Sequence, residues 1–172
     1  MAQKFLVRVA GETRQATALA ASAGAADAGK IPALDSAGRL DMSMMPAGIG
    51  TDTAIIPAFE ALSAGVFVNL FNNSGEMNAR LADNSNGRPA DGFVLEAVAA
   101  DADATVYPLD GTNYGLSGLT GGNRYWLGTA GGVIGTPLDE TNEANAGKIS
   151  QYLGKARSVS ELISTDDGFV VL

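Results

Sequence analysis

Histidine and cysteine are both absent from the 172-residue sequence. Without cysteine the chain has no disulfide and no thiolate metal site. Without histidine it lacks the commonest general base and the commonest metal ligand. Ser–His–Asp and Cys–His catalysis and histidine zinc sites are therefore excluded within this chain. Aromatic residues make up only 6%, so a core has to come from small and branched side chains. Charged residues, at 17%, fall below the ~25% of an ordinary soluble domain. No apolar run approaches the ~18–20 residues of a membrane span, and residues 1–10 lack the long apolar core of a signal peptide. The expectation is a chain made in a cytoplasm, with no membrane partner, that stays soluble until it meets another protein.

What charge there is leans acidic. The formal net charge is −8, against the basic face that nucleic acid binding requires. Residues 1–64 hold five Lys+Arg and six Asp+Glu, whereas residues 65–172 hold six and thirteen. A nearly neutral first part suits contact with other protein, and an acidic second part suits solvent.

Two regions differ in texture. Phe5–Val9 is a short β run ended by the turn signal Gly11-Glu12. The alanine-rich stretch 14–29 would permit a helix, but a marginal one with little besides methyl groups to bury. Residues 30–50 read as an extended path, because Pro32 and Pro46 block a continuous helix and Asp35-Ser36-Ala37-Gly38 forms a turn. Ile31, Leu34, Leu40, Met42, Met44 and Met45 put much apolar surface on a segment with so little regular structure. Fully burying each contributes roughly 1.5–3 kcal/mol, while ordering backbone costs about 1–2 kcal/mol per residue. Such a segment has to lie on something else. These six side chains are the expected partner-binding residues, and methionine suits irregular contact surfaces.

From about residue 54 the pattern becomes regular β. Strands are expected at 54–58, 66–71, 76–82, 90–97, 104–109, 124–127, 133–136, 149–156, 159–163 and 169–172, separated by Gly, Asn and Asp turns. The predicted fold is mainly β: a small antiparallel β-barrel or sandwich at 59–172, behind an extended, mostly irregular N-terminal arm at 1–58.

No catalytic, cofactor or metal residue stands out. Asp101/Asp103 and Asp166/Asp167 lie in turn-like contexts without the ligand spacing of a calcium loop. Glu76, Glu96 and Glu161 are isolated on predicted strands, and neither glycine-rich stretch has the pattern of a phosphate loop. Tyr107, Tyr114, Tyr125, Trp126 and Tyr152 are expected in core or sheet-face packing, with stacking on sugar rings as the alternative use.

The segment Ala28–Asp41, Ala-Gly-Lys-Ile-Pro-Ala-Leu-Asp-Ser-Ala-Gly-Arg-Leu-Asp, running into Met44-Met45-Pro46, resembles one found near the N-termini of tailed-phage virion proteins. Leu62–Asn69, Ala79–Asp83, Pro89–Val94, Gly115–Gly122 before Arg124–Leu127, and Leu153–Ala156 before Leu162 resemble the β modules of phage capsid cement proteins. The resemblance implies a structural virion protein, not an enzyme and without cofactors. Such a protein binds and stabilises the capsid exterior as a decoration protein, assembled in the host cytoplasm. It further implies the major capsid protein as partner and a homotrimer. The alternative is a head- or tail-fibre component whose β module binds a glycan or receptor.

Overall fold

The computed structural model describes residues 3–36, 38–45 and 52–172. The chain divides into two compact units between residues 50 and 51. The division falls ahead of the 58/59 boundary expected from sequence because residues 54–57 pair as a strand with residues 103–106.

The first unit begins with a hairpin, β1 (Lys4–Val9) and β2 (Glu12–Thr17), paired without slippage from Lys4–Thr17 to Val9–Glu12. Ala10 (φ 50°) and Gly11 (φ 86°) turn it, both in the left-handed region that matches the twist of paired strands. Residues 14–17 thus lie in a ladder and not in a helix, because a short alanine-rich helix with no apolar face to pack is marginal on its own. Beyond the hairpin the path is irregular, as expected. Only two short 3-10 turns, Gly24–Asp27 and Met42–Met44, interrupt it among the described residues.

The second unit is built on two antiparallel sheets, neither closed, so of the two expected forms the sandwich applies. Sheet one contains β3 (Ala54–Pro57), β4 (Phe67–Asn73), β5 (Glu76–Leu81), β6 (Gly92–Val94) and β7 (Asp103–Pro108), in the order β3-β7-β6-β4-β5. Sheet two contains β8 (Thr112–Asn113), β9 (Arg124–Leu127), β10 (Val133–Ile134), β11 (Ile149–Ala156) and β12 (Leu162–Ser164), in the order β10-β9-β11-β12-β8. A last strand, β13 (Phe169–Val171), pairs with the first residues of β11, and β12 pairs with its last.

Two cores follow from the alternation of side chains. Phe67, Phe93 and the partly buried Tyr107 lie directly opposite one another across three strands, and their rings touch at 5.9 and 5.6 Å. They pack with Tyr125, Leu127, Ile149, Leu153 and Leu162 of sheet two, so this core fills the space between the sheets. On the opposite face of sheet one, Val68, Ala79, Val94 and Val106 pack with Ala58 and Leu62 from the connecting segment. Buried amides tie the connections to the frame. Asn84 Nδ2 donates to the Leu127 carbonyl at 2.8 Å, and Asn113 Nδ2 donates to the Gly65 carbonyl at 2.9 Å.

Candidate partner-binding surface

The first unit has almost no interior. Ala33 alone is buried among its described residues. Its covalent path is held by polar contacts. The Leu19 N–H donates to the Ile31 carbonyl at 2.9 Å and the Ala33 N–H to the Leu19 carbonyl at 2.7 Å, so Ile31–Ala33 runs parallel beside Leu19. The expected turn closes where the Arg39 N–H meets Asp35 Oδ1 at 2.8 Å and the Asp35 N–H meets the Arg39 carbonyl at 2.8 Å; Ala37 lies outside the described residues. Ser43 Oγ accepts from the Ser22 N–H at 2.8 Å while donating to Asp41 Oδ1 at 2.5 Å, which links two distant stretches of the unit.

These contacts fix two carboxylates. Hydrogen bonds from Lys30 and from the Ala23 N–H hold Asp27 below its usual range, and Ser43 does the same for Asp41. Both acids are thus engaged inside the unit, and its outward surface combines apolar side chains with the exposed Lys4, Arg8, Glu12 and Arg14.

The structure places most of the expected anchors at that surface. Ile31, Leu34, Leu40 and Met45 are exposed, and Met44 is half-buried against an open cleft that Leu19 and Pro32 also line. Met42 sits in the 3-10 turn, its side chain outside the described residues. Sequence reasoning missed Leu6, which is 72% exposed on the hairpin and borders a groove shared with Phe5, Ala16, Leu19 and Ile31. The signal was available in Lys4-Phe5-Leu6-Val7-Arg8, whose alternation puts Leu6 on the face opposite Phe5 and Val7.

Charge on this unit is balanced. Residues 1–50 hold Lys4, Arg8, Arg14, Lys30 and Arg39 against Glu12, Asp27, Asp35 and Asp41, five against four, a net of +1. Two of the cations are paired internally, Arg14 with Glu12 at 3.0 Å and Lys30 with Asp27 at 2.7 Å. Beyond those pairs the surface offers apolar contact and backbone pairing, together with the exposed Lys4 and Arg8. Among the described residues no group of three acidic side chains is placed to hold a metal.

Comparison with known protein families, with curated proteins and with solved structures found no match to this chain.

Proposed function

We propose that this chain is a structural protein of a tailed-phage virion, a cement protein that binds the capsid exterior as a homotrimer. Its partner is the major capsid protein, and the first unit makes the contact. The observation that carries the reading is the mismatch among the described residues of that unit: one buried alanine against exposed Leu6, Ile31, Leu34, Leu40 and Met45. A unit of this size without an interior needs an external surface to complete it. Closed symmetry supplies part of that surface, because identical arms bury one another, and the shell supplies the rest. Three arms acting together turn a weak contact per copy into a firm hold. Nothing in the proposal calls for catalysis, a cofactor, nucleic acid or a membrane.

Deleting residues 1–50 and adding the protein to particles that lack it is the direct test. The truncated protein should fold, run as a monomer in light scattering, and fail to decorate. Decoration at full occupancy by the truncated protein would move the contact to the β unit. Electron microscopy of the intact particle separates shell-wide density at local three-fold axes, as expected for cement, from a few copies at a vertex or tail, as for a fibre.

A further inference from the structure

Sheet two turns one face toward the core, with Tyr125, Leu127, Leu153 and Leu162 buried on it. On the other face the register aligns two rows. In the first, Ile134 lies opposite Trp126, which lies opposite Tyr152. The two aromatic rings touch with centroids 5.6 Å apart and planes tilted by 59°. In the second, Arg124 lies opposite Lys155, which lies opposite Ile163. Arg124 and Lys155 are both exposed, and neither side chain makes an ion pair or hydrogen bond with any described residue.

That second row runs against expectation. Like charges directly opposite on neighbouring strands repel. Residues 51–172 hold fifteen acids and only six cations, counted as Lys and Arg, so a carboxylate partner would have been easy to place. Elsewhere in the unit acids do pair with arginine, as Glu161 does with Arg157 at 3.5 Å and Glu60 with Arg88 at 3.8 Å. Two unpaired cations held side by side in an acidic unit are complementary to an anion brought from outside. Beside them, one rung or about 6.8 Å along β9, lies the aromatic pair.

We propose that this face binds an acidic carbohydrate. The C–H face of a sugar ring lies on Trp126 and Tyr152, and the carboxylate attached to that ring reaches Arg124 and Lys155. Arginine receives a carboxylate with two parallel hydrogen bonds, and lysine adds a second charge. The aromatic row is what favours a sugar over an acidic peptide, because it presents apolar ring surface at a fixed step from the cations. The assignment is independent of the capsid reading, since it uses no residue of the first unit.

The full-length chain, immobilised at physiological salt, is offered polygalacturonate, polysialic acid, neutral dextran and poly-L-glutamate. At least one acidic polysaccharide should bind, dextran should not, and poly-L-glutamate should bind about tenfold or more weakly than the polysaccharide. The double variant R124Q/K155Q should lose about tenfold or more of the polysaccharide affinity without any fall in melting temperature, since both side chains are exposed and their mutual repulsion is removed. Tyr152→Leu should weaken binding of the polysaccharide without changing the weak response to poly-L-glutamate. Binding of neither acidic polysaccharide, equal binding of poly-L-glutamate, or unchanged affinity of R124Q/K155Q would each overturn the proposal. Capsid decoration can be measured on the same double variant, and it should be unaffected.

Discussion

Gln151 and Ala90, 61 residues apart, exchange two hydrogen bonds: Gln151 Nε2 donates to the Ala90 carbonyl at 2.8 Å, and the Ala90 N–H donates to Gln151 Oε1 at 2.7 Å. Both residues are buried. The side-chain amide thus stands in for a strand partner, and it joins the central strand of sheet two to the segment leading into β6 of sheet one. Replacing it with leucine keeps the volume but orphans both backbone groups of Ala90. The cost should be about 2–6 kcal/mol, since each buried unpaired group costs about 1–3 kcal/mol. Urea unfolding of Gln151→Leu, compared with wild type, measures it.

Gly65 and Gly115 form a second tie. A Cβ on Gly115 would stand 2.7 Å from the Gly65 Cα and 2.8 Å from its nitrogen, and neither backbone atom can yield. Gly115→Ala should therefore cost about 3 kcal/mol. Gly118 supplies the contrast, with φ at 72° but open space around it. Gly118→Ala should cost only the left-handed backbone strain, about 1–2 kcal/mol. Equal melting temperatures for the two variants would show that the close approach is not a constraint.

Ser164 offers the opposite sign. Its hydroxyl is buried on β12 without a hydrogen-bond partner among the described residues. Ser164→Ala removes an unpaired polar group and should raise stability by about 1 kcal/mol. A fall in the urea midpoint would mean that the hydroxyl is satisfied in solution.

Acid titration should separate two aspartates. Burial pushes Asp91 above the usual carboxylate range, although the Leu70 N–H and Asn69 Nδ2 donate to it at 2.7 and 2.9 Å. Burial also pushes Asp83 upward, but hydrogen bonds from Ser85 and the Ala130 N–H outweigh it and leave the group below that range. A raised carboxyl contributes stability that is complete below the unfolded value of about 3.9 and is lost as pH rises through the folded value. A lowered carboxyl contributes stability that is present above about 3.9 and is lost as pH falls through its folded value. Asp91→Asn should accordingly gain on wild type between pH 3 and 7. Asp83→Asn should be less stable by about 1–2 kcal/mol at pH 7, with the gap closing in acid. Parallel pH profiles for the two variants would contradict both assignments.

The strands of the β unit were legible because their apolar residues alternate and their turns carry Gly, Asn and Asp. The β4–β5 hairpin is the clearest instance, with Ser74 (φ 57°) and Gly75 (φ 101°) turning where the sequence Asn72–Gly75 indicates. The hairpin strand β2 was not legible, since Glu12–Thr17 carries no large apolar residue and is specified by its partner. Nor was the role of Asn84, Asn113 and Gln151, polar side chains that act as buried braces. Their role depends on which distant backbone they meet, and local pattern does not encode that. Of the aromatics expected in the core or on a sheet face, Tyr125 is in the core, whereas Trp126 and Tyr152 lie on the outward face of sheet two. A β-bulge between Tyr152 and Gly154 lets β11 keep Leu153 inward and Lys155 outward, and a strict period of two across the strand would not.

The position of β11 in sheet two also orders events during synthesis. Every strand of sheet one has been synthesised by residue 108, so that sheet has all its partners early. Sheet two is different: β9, β12 and β13 all pair with β11, which begins only at residue 149. At about 5–20 residues per second, the interval from residue 108 to residue 164 lasts roughly 3–11 s. For those seconds Phe67 and Phe93 face water on a half-built sandwich. In a crowded cell that interval is when the nascent chain most needs a chaperone, and slowing translation across residues 109–148 would lengthen it.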